Sequence, residues 1–305
     1  MELLAQFWSD LATLGFLQRA FLAGAVVAAV CPAVGLFLTV RRLSLLGECL
    51  AHVSLAGAAV GAVVGTNIGL SVLITTTLAA VALEGMRRAY GRHADLALAV
   101  TTATGLGVTA VVVGWGRLNL GVVSGYLFGS LVAVAPSDVG TIVVLGLGLL
   151  FGLALAYRPL LFLALDEEGA RAAGIPVDGI SLGFLVLAGV AVGLAMRLVG
   201  ALLLASLMIL PVASALAWAR SFRQALAGSV LLGELATSSG LVLAYYLDTA
   251  PGGTIVLTSV LILVVIMAAK AVLGIRLGRG GNDSDHGSKS GEPARAGAIP
   301  GRQGV

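Results

Sequence analysis

Apolar residues run in long unbroken stretches along this chain, and polar residues are confined between them. A bilayer crossing takes about 20 mainly apolar residues. Nine stretches qualify, roughly 16–40, 43–66, 69–86, 94–114, 139–164, 178–196, 198–218, 225–247 and 252–273. A tenth, 118–134, is apolar but short and glycine-rich. It reads as a re-entrant or interfacial helix, because irregular backbone survives at membrane depth only where protein packs around it. The polar/apolar alternation of a transmembrane barrel is absent. The pattern predicts an all-α polytopic membrane protein of about nine transmembrane helices plus one short re-entrant helix.

Composition narrows the class. Charged residues make up 11% of the 305 residues, against roughly a quarter in soluble domains, and the mean hydropathy is +1.05. Disordered, collagen-like and disulfide-stapled proteins are excluded, and a soluble enzyme does not fit. The net charge of +3 rests almost wholly on arginine, Lys270 and Lys289 being the only lysines. Such a surplus belongs to loops on the cytoplasmic side, not to nucleic-acid contacts. Cys31 and Cys49 read as free membrane thiols. Met1 to Gln18 carry Glu2 and Asp10 and no basic start, so no cleavable signal peptide is expected.

Positive charge then sets the orientation. Arg41 and Arg42 follow the first stretch, and Arg87, Arg88 and Arg92 the third. Arg171 follows the fifth, Arg220 and Arg223 the seventh, Arg276 and Arg279 the ninth. With the amino terminus outside, every cluster falls on the cytoplasmic side, provided 118–134 does not cross. The opposite loops hold Asn67, Asp138 and Asp248. The expected location is the cytoplasmic membrane, multi-pass, with the carboxy terminus inside. A membrane domain over 1–277 gives way to a Gly/Ser/Pro-rich tail, 278–305, expected to be disordered and cytoplasmic. His286 there reads as a solvated residue.

One loop stands apart, LALDEEGARAAGIPVDG over 163–179. Asp166 suits a helix N-cap, and Glu167 and Glu168 suit a first turn. Gly174 suits the position just past the end, and Pro176 blocks continuation. A helix of about two turns is predicted between the fifth and sixth spans. A plain hairpin needs no such feature, so a docking surface for a cytosolic partner is expected there. A faint echo also joins Leu45-Leu46-Gly47-Glu48 to Leu231-Leu232-Gly233-Glu234, as in transporters built from repeats.

Ionisable residues within spans cost several kcal/mol and mark cavities or partners. Glu48 and His52 lie four apart, hence on one helix face. His52 falls about 14 Å into the bilayer, counted from Leu43 at 1.5 Å per residue. A carboxylate beside an imidazole suits Zn²⁺, Mn²⁺ or Fe²⁺, or the two form a self-satisfied buried pair. Glu234, at similar depth in the eighth span, either completes that site or pairs with Arg197. Asp248, before Pro251-Gly252-Gly253, either attracts cations at the outer mouth or caps the ninth span. Glu84 either snorkels or pairs with Arg87 or Arg88; Met208 and Pro211 reflect packing and a kink, with a soft ligand the lesser alternative for Met208. No HExxH, GxSxG or P-loop motif occurs, so nothing points to a protease, a hydrolase or a built-in ATPase.

Four segments carry a resemblance: CPAVGLFLTVRRLSLLGECLAHVSLAGAAVG (31–61), GYLFGSL (125–131) with Ser137-Asp138, LDEEGARAAGIPV (165–177) and YYLDTAPGGTIVL (245–257). In order and spacing the chain resembles the membrane permease of an ATP-binding-cassette importer for manganese, zinc or iron, over about 16–273. The resemblance implies the permease fold of the cobalamin-type (type II) importers and a homodimer in membrane lipid. It implies two cytosolic ATPases, an extracytoplasmic metal-binding protein and no nucleic acid. The permease itself would be no enzyme and would hold no permanent cofactor, only the transported Zn, Mn or Fe ion. Metal contacts would fall to Glu48, His52, Glu234 and Asp248. Coupling to the ATPase would fall to 166–176, with Asp166, Glu167, Glu168, Arg171, Gly174, Ile175 and Pro176. The family's acid is commonly Asp, with Ser just before the His; here Glu48 and Ala51 stand there, which moves the carboxylate by about one methylene. Two rival readings are a permease of this fold for a bulky chelate, cobalamin or a siderophore, and a proton-coupled secondary transporter relaying through Glu48, His52 and Glu234. A membrane enzyme using the Glu48/His52 pair has no supporting motif.

Overall fold

The computed structural model describes residues 15–116, 125–129 and 136–278. The re-entrant helix expected over 118–134 and the tail therefore lie outside the described residues, 125–129 and Gly278 excepted. The helices are α1 (Gly15–Val40), α2 (Leu46–Val64), α3 (Ile68–Tyr90), α4 (Ala94–Trp115), α5 (Pro136–Leu155), α6 (Tyr157–Leu165), α7 (Glu167–Ala172), α8 (Val177–Val199), α9 (Ala201–Leu216), α10 (Phe222–Leu247) and α11 (Pro251–Gly278). Among the described residues there is no strand. The chain divides into a unit ending at Met267 and a second from Ala268, whose described part is the end of α11.

Each of the nine apolar stretches corresponds to helix. Seven helices are long and apolar enough to cross a membrane singly. An eighth crossing is α5 with α6, taken together across a bend of 61°. The stretch expected to run straight over 139–164 breaks there because Pro159 has no N–H for the Leu155 carbonyl. Helix α9 has 16 residues, its apolar part being Leu204–Leu216, short for a span. By length the structure supports seven or eight crossings where the pattern suggested nine.

Beyond Arg19, helix α1 is apolar on all sides, and such a helix belongs inside. It packs against α5, α6, α8, α9 and α10. Lipid tails are as apolar as leucine, so close backbone approach, not apolar burial, drives helices together here. The glycines show it. A Cβ on Gly57 would meet Thr75 Oγ1 at 2.8 Å, and one on Gly61 would meet Ser71 Oγ at 2.8 Å, so α2 lies directly on α3. Gly189 does the same for α8 against the Thr76 carbonyl at 2.9 Å. Phe37, Tyr157, Phe184 and Phe222 lock α1, α6, α8 and α10 at one end, with Phe37 and Phe222 centroids 4.9 Å apart.

Candidate functional site

Helix α2 presents Glu48 and His52 on one face, as the four-residue spacing requires. His52 Nε2 lies 4.0 Å from Glu48 Oε1. The glutamate side chain is 58% exposed and the histidine 14%, so the pair opens outward from a helix whose other faces are buried. His52 Nδ1 is buried and has no hydrogen-bond partner. On the far side, α4 backs the pair: a Cβ at Gly105 would stand 3.0 Å from Val53 N and 3.1 Å from the His52 carbonyl carbon. Close packing of α4 thus fixes the backbone that carries the ring, whose Nε2 turns toward the carboxylate while Nδ1 is buried.

Glu234 is not part of this pair. It is partly buried on α10 and has no ion-pair partner among the described residues. Helix α9 packs against both α2 and α10, and no group of three His, Cys, Asp or Glu side chains gathers among the described residues. Asp248 is exposed and closes α10, its N–H bonded to the Ala244 carbonyl in the left-handed conformation (φ 50°). It ends the eighth stretch and does not cap the ninth. Met208 is buried and lies against Gly47, a packing role.

The loop after α6 folds as its sequence dictates. Asp166 accepts a hydrogen bond from Gly169 N at 2.8 Å and starts α7. Gly174 takes φ 77°. Gly174 N bonds the Arg171 carbonyl and Ile175 N the Ala170 carbonyl, both at 3.1 Å, the two bonds of a Schellman ending. Pro176 then sits at the head of α8. Ala170 is fully buried and, with Leu163 and Val177, anchors the helix. Glu167, Glu168 and Arg171 remain exposed.

Beside α7 lies a cleft of about 540 Å³ among α1, α3, α7 and α8. Glu84, 5% exposed, receives Arg87 Nη1 at 2.9 Å and Arg88 at 3.1 Å. Arg88 also donates to the Asp178 carbonyl at 2.9 Å. Arg171 reaches Glu167 and Asp178, each at 3.5 Å. Arg41 donates to Ser181 Oγ at 3.0 Å and stacks 5.6 Å from the Phe184 ring centre. Burial and then the neighbouring Arg87 push the Arg41 pKa down, against the pull of Glu167 and Glu84. Sequence reading singled out Glu84 and α7 but missed Asp178 and Ser181. Their only local signal is a polar residue in the first turns of an apolar helix.

The model of the ABC 3 transport family matches residues 13–270. The "Probable metal transport system membrane protein" of Treponema pallidum is 36% identical over 84% of this chain and 96% of its own length. The "Manganese import system permease protein ScaB" of Streptococcus parasanguinis is 29% identical, over 84% and 91%. The "High-affinity zinc uptake system membrane protein ZnuB" of Haemophilus influenzae is 28% identical, over 81% and 94%. Among solved structures, PsaBC from Streptococcus pneumoniae in complex with Fab superposes with a TM-score of 0.77 at 28% identity, covering 86% of this chain and 95% of that one.

Proposed function

The chain belongs to the ABC 3 transport family, and on that premise we propose that it is the permease of an ATP-driven importer carrying a divalent transition-metal ion inward. The observation that carries the metal reading is the Glu48/His52 pair, 4.0 Å apart on an otherwise apolar span. Relatives named for manganese and for zinc are equally similar to this chain. Oxygen and nitrogen donors are shared by both ions and by Fe²⁺. The chain hydrolyses nothing itself; a separate cassette ATPase supplies the energy.

One chain offers one carboxylate and one imidazole, short of the four donors such ions usually take. A second copy related by a two-fold axis would present the same pair and complete a transient site. Glu234 would join only across such an interface, since α9 stands between α10 and α2 within one chain. Asp248, exposed where α10 ends, would meet ions handed over by an extracytoplasmic binding protein. In a layout where the short helix α9 also crosses, the loops bearing Arg41, Arg87, Arg88, Arg171 and Arg220 lie on the cytoplasmic side, where α7 is the docking element for the ATPase. A passage site must release as well as bind, and an exposed carboxylate with a single imidazole nitrogen, Nε2, turned toward it suits weak holding.

Elemental analysis tests this. Cells lacking the chain, grown with a chelator, should lose manganese, zinc or iron and regain it with the wild type but not with His52→Ala. Full restoration by His52→Ala ends the role given to the pair. Unchanged metals with lost uptake of a metal chelate end the free-ion reading.

A further inference from the structure

Among the described residues, the cleft beside α7 has four arginines and three carboxylates on its walls. Arg87 and Arg88 share Glu84, and Arg171 shares Glu167 and Asp178. Arg41 is left over. No carboxylate lies within 4.0 Å of it among the described residues, its Nη2 is spent on a neutral hydroxyl, and its Nη1 is buried without a partner. A guanidinium stays charged at any physiological pH. A buried charge with an idle donor is therefore an arrangement awaiting an anion.

The position says what kind of anion. Arg41 directly follows α1, the innermost helix, and α3, α7 and α8 close around it. A lipid would need a wall for its acyl chain, yet among the described residues the only bulky apolar side chain lining the cleft is Val177. Helix α7 is one edge of the mouth, so a protein that seats on α7 covers the cleft. We propose that Arg41 receives an aspartate or glutamate side chain from the cassette ATPase when that subunit docks on α7, closing an ion pair between subunits. The inference rests on the docking reading given above. It adds a second anchor to α7, one belonging to α1 and so to the helix at the centre of the bundle.

The test compares the permease alone with its complex. Purified chain carrying Arg41→Gln is melted in detergent, then titrated with its cognate ATPase across a series of KCl concentrations. Arg41→Gln should melt close to wild type, since removing an unpaired buried charge offsets the loss of the Ser181 bond and the Phe184 contact. It should bind the ATPase about thirtyfold or more weakly and lose most of the salt dependence. If it binds as tightly as wild type, the inference fails while the docking reading stands. If wild type does not bind the ATPase at all, both fail. A lower melting point with Arg41→Gln makes Arg41 a structural residue and overturns the inference. So does stabilisation of wild type, but not of Arg41→Gln, by inorganic phosphate or by phosphatidylglycerol vesicles. Should Arg41→Gln not accumulate, Arg41→Lys keeps the charge but loses the fork geometry; unaltered affinity there also overturns it.

Discussion

Replacing Asp166 by alanine tests whether α7 acts through its shape. The carboxylate holds Gly169 N at 2.8 Å, and such a cap contributes about 1 kcal/mol. A helix of six residues has little local support besides. The Glu167–Arg171 pair, 3.5 Å apart with both side chains more than half exposed, adds a few tenths of a kcal/mol. What remains is the Ala170 anchor and the Schellman ending. A factor of ten is about 1.4 kcal/mol, so losing the cap should raise amide exchange at Gly169, Ala170 and Ala173 about fivefold. An asparagine side chain retains an equivalent acceptor, so Asp166→Asn should exchange like wild type. Hydrogen exchange on the purified permease reads this directly, and ATP-driven metal uptake in proteoliposomes reads the consequence. Uptake should fall with Asp166→Ala and persist with Asp166→Asn. Equal protection in Asp166→Ala and wild type would refute the capping argument. Equal loss of uptake in both variants would show that the charge, not the helix, is what the partner reads.

Three further outcomes follow from the geometry. His52→Ala should cut uptake at limiting metal by about tenfold or more, the scale expected when a ligand shell is broken, while the melting temperature of the permease holds; unchanged uptake removes His52 from the path. Glu84→Gln leaves Arg87 and Arg88 without their carboxylate at a largely buried position. It should cost about 2 kcal/mol of stability, discounted from the roughly 3–5 typical of fully buried pairs because Arg88 is 46% exposed, and a melt matching wild type would contradict it. Gly105→Val forces α4 off the His52–Val53 backbone, where even a bare Cβ would stand at 3.0 Å. It should cost about 1–3 kcal/mol and lower uptake with every ligand intact, whereas Gly107→Val, where a Cβ would meet nothing within 4 Å, should leave both the melt and the uptake unchanged.

What could be read in the sequence was local. Helix α7 was legible end to end because a cap, an acidic first turn and a Gly-x-Pro stop all lie within a dozen residues. The bend between α5 and α6 was not read: the apolar run over 139–164 continues through Pro159 and masks the break. Arg41 beside Ser181 joins residues 140 apart in sequence, and no periodicity carries that. The rotation of each apolar helix is set by where glycine lets a neighbour in, which composition alone does not reveal.

The echo of Leu-Leu-Gly-Glu in α2 and α10 makes this concrete. In α2, Gly47 faces Met208 Sδ, 3.1 Å from where its Cβ would stand, and the next residue, Glu48, turns outward. In α10, Gly233 faces Pro32 and the Ala28 carbonyl, at 2.7 and 2.8 Å from its Cβ position, and Glu234 sits at the flank, partly buried. A helical step of about 100° separates glycine from glutamate in both. The glycine makes the contact with the neighbouring helix, and the acid is thereby placed at the edge of that contact, beside protein but not under it. The same four residues thus give both acids the same relation to their helix interfaces, although α9 keeps the two helices apart in one chain. A carboxylate at the rim of an interhelical contact is available to an ion or to a second subunit, and a carboxylate one residue earlier would be buried against a neighbouring helix. The motif is therefore a packing rule that sets an acid beside, and not under, a contact between helices.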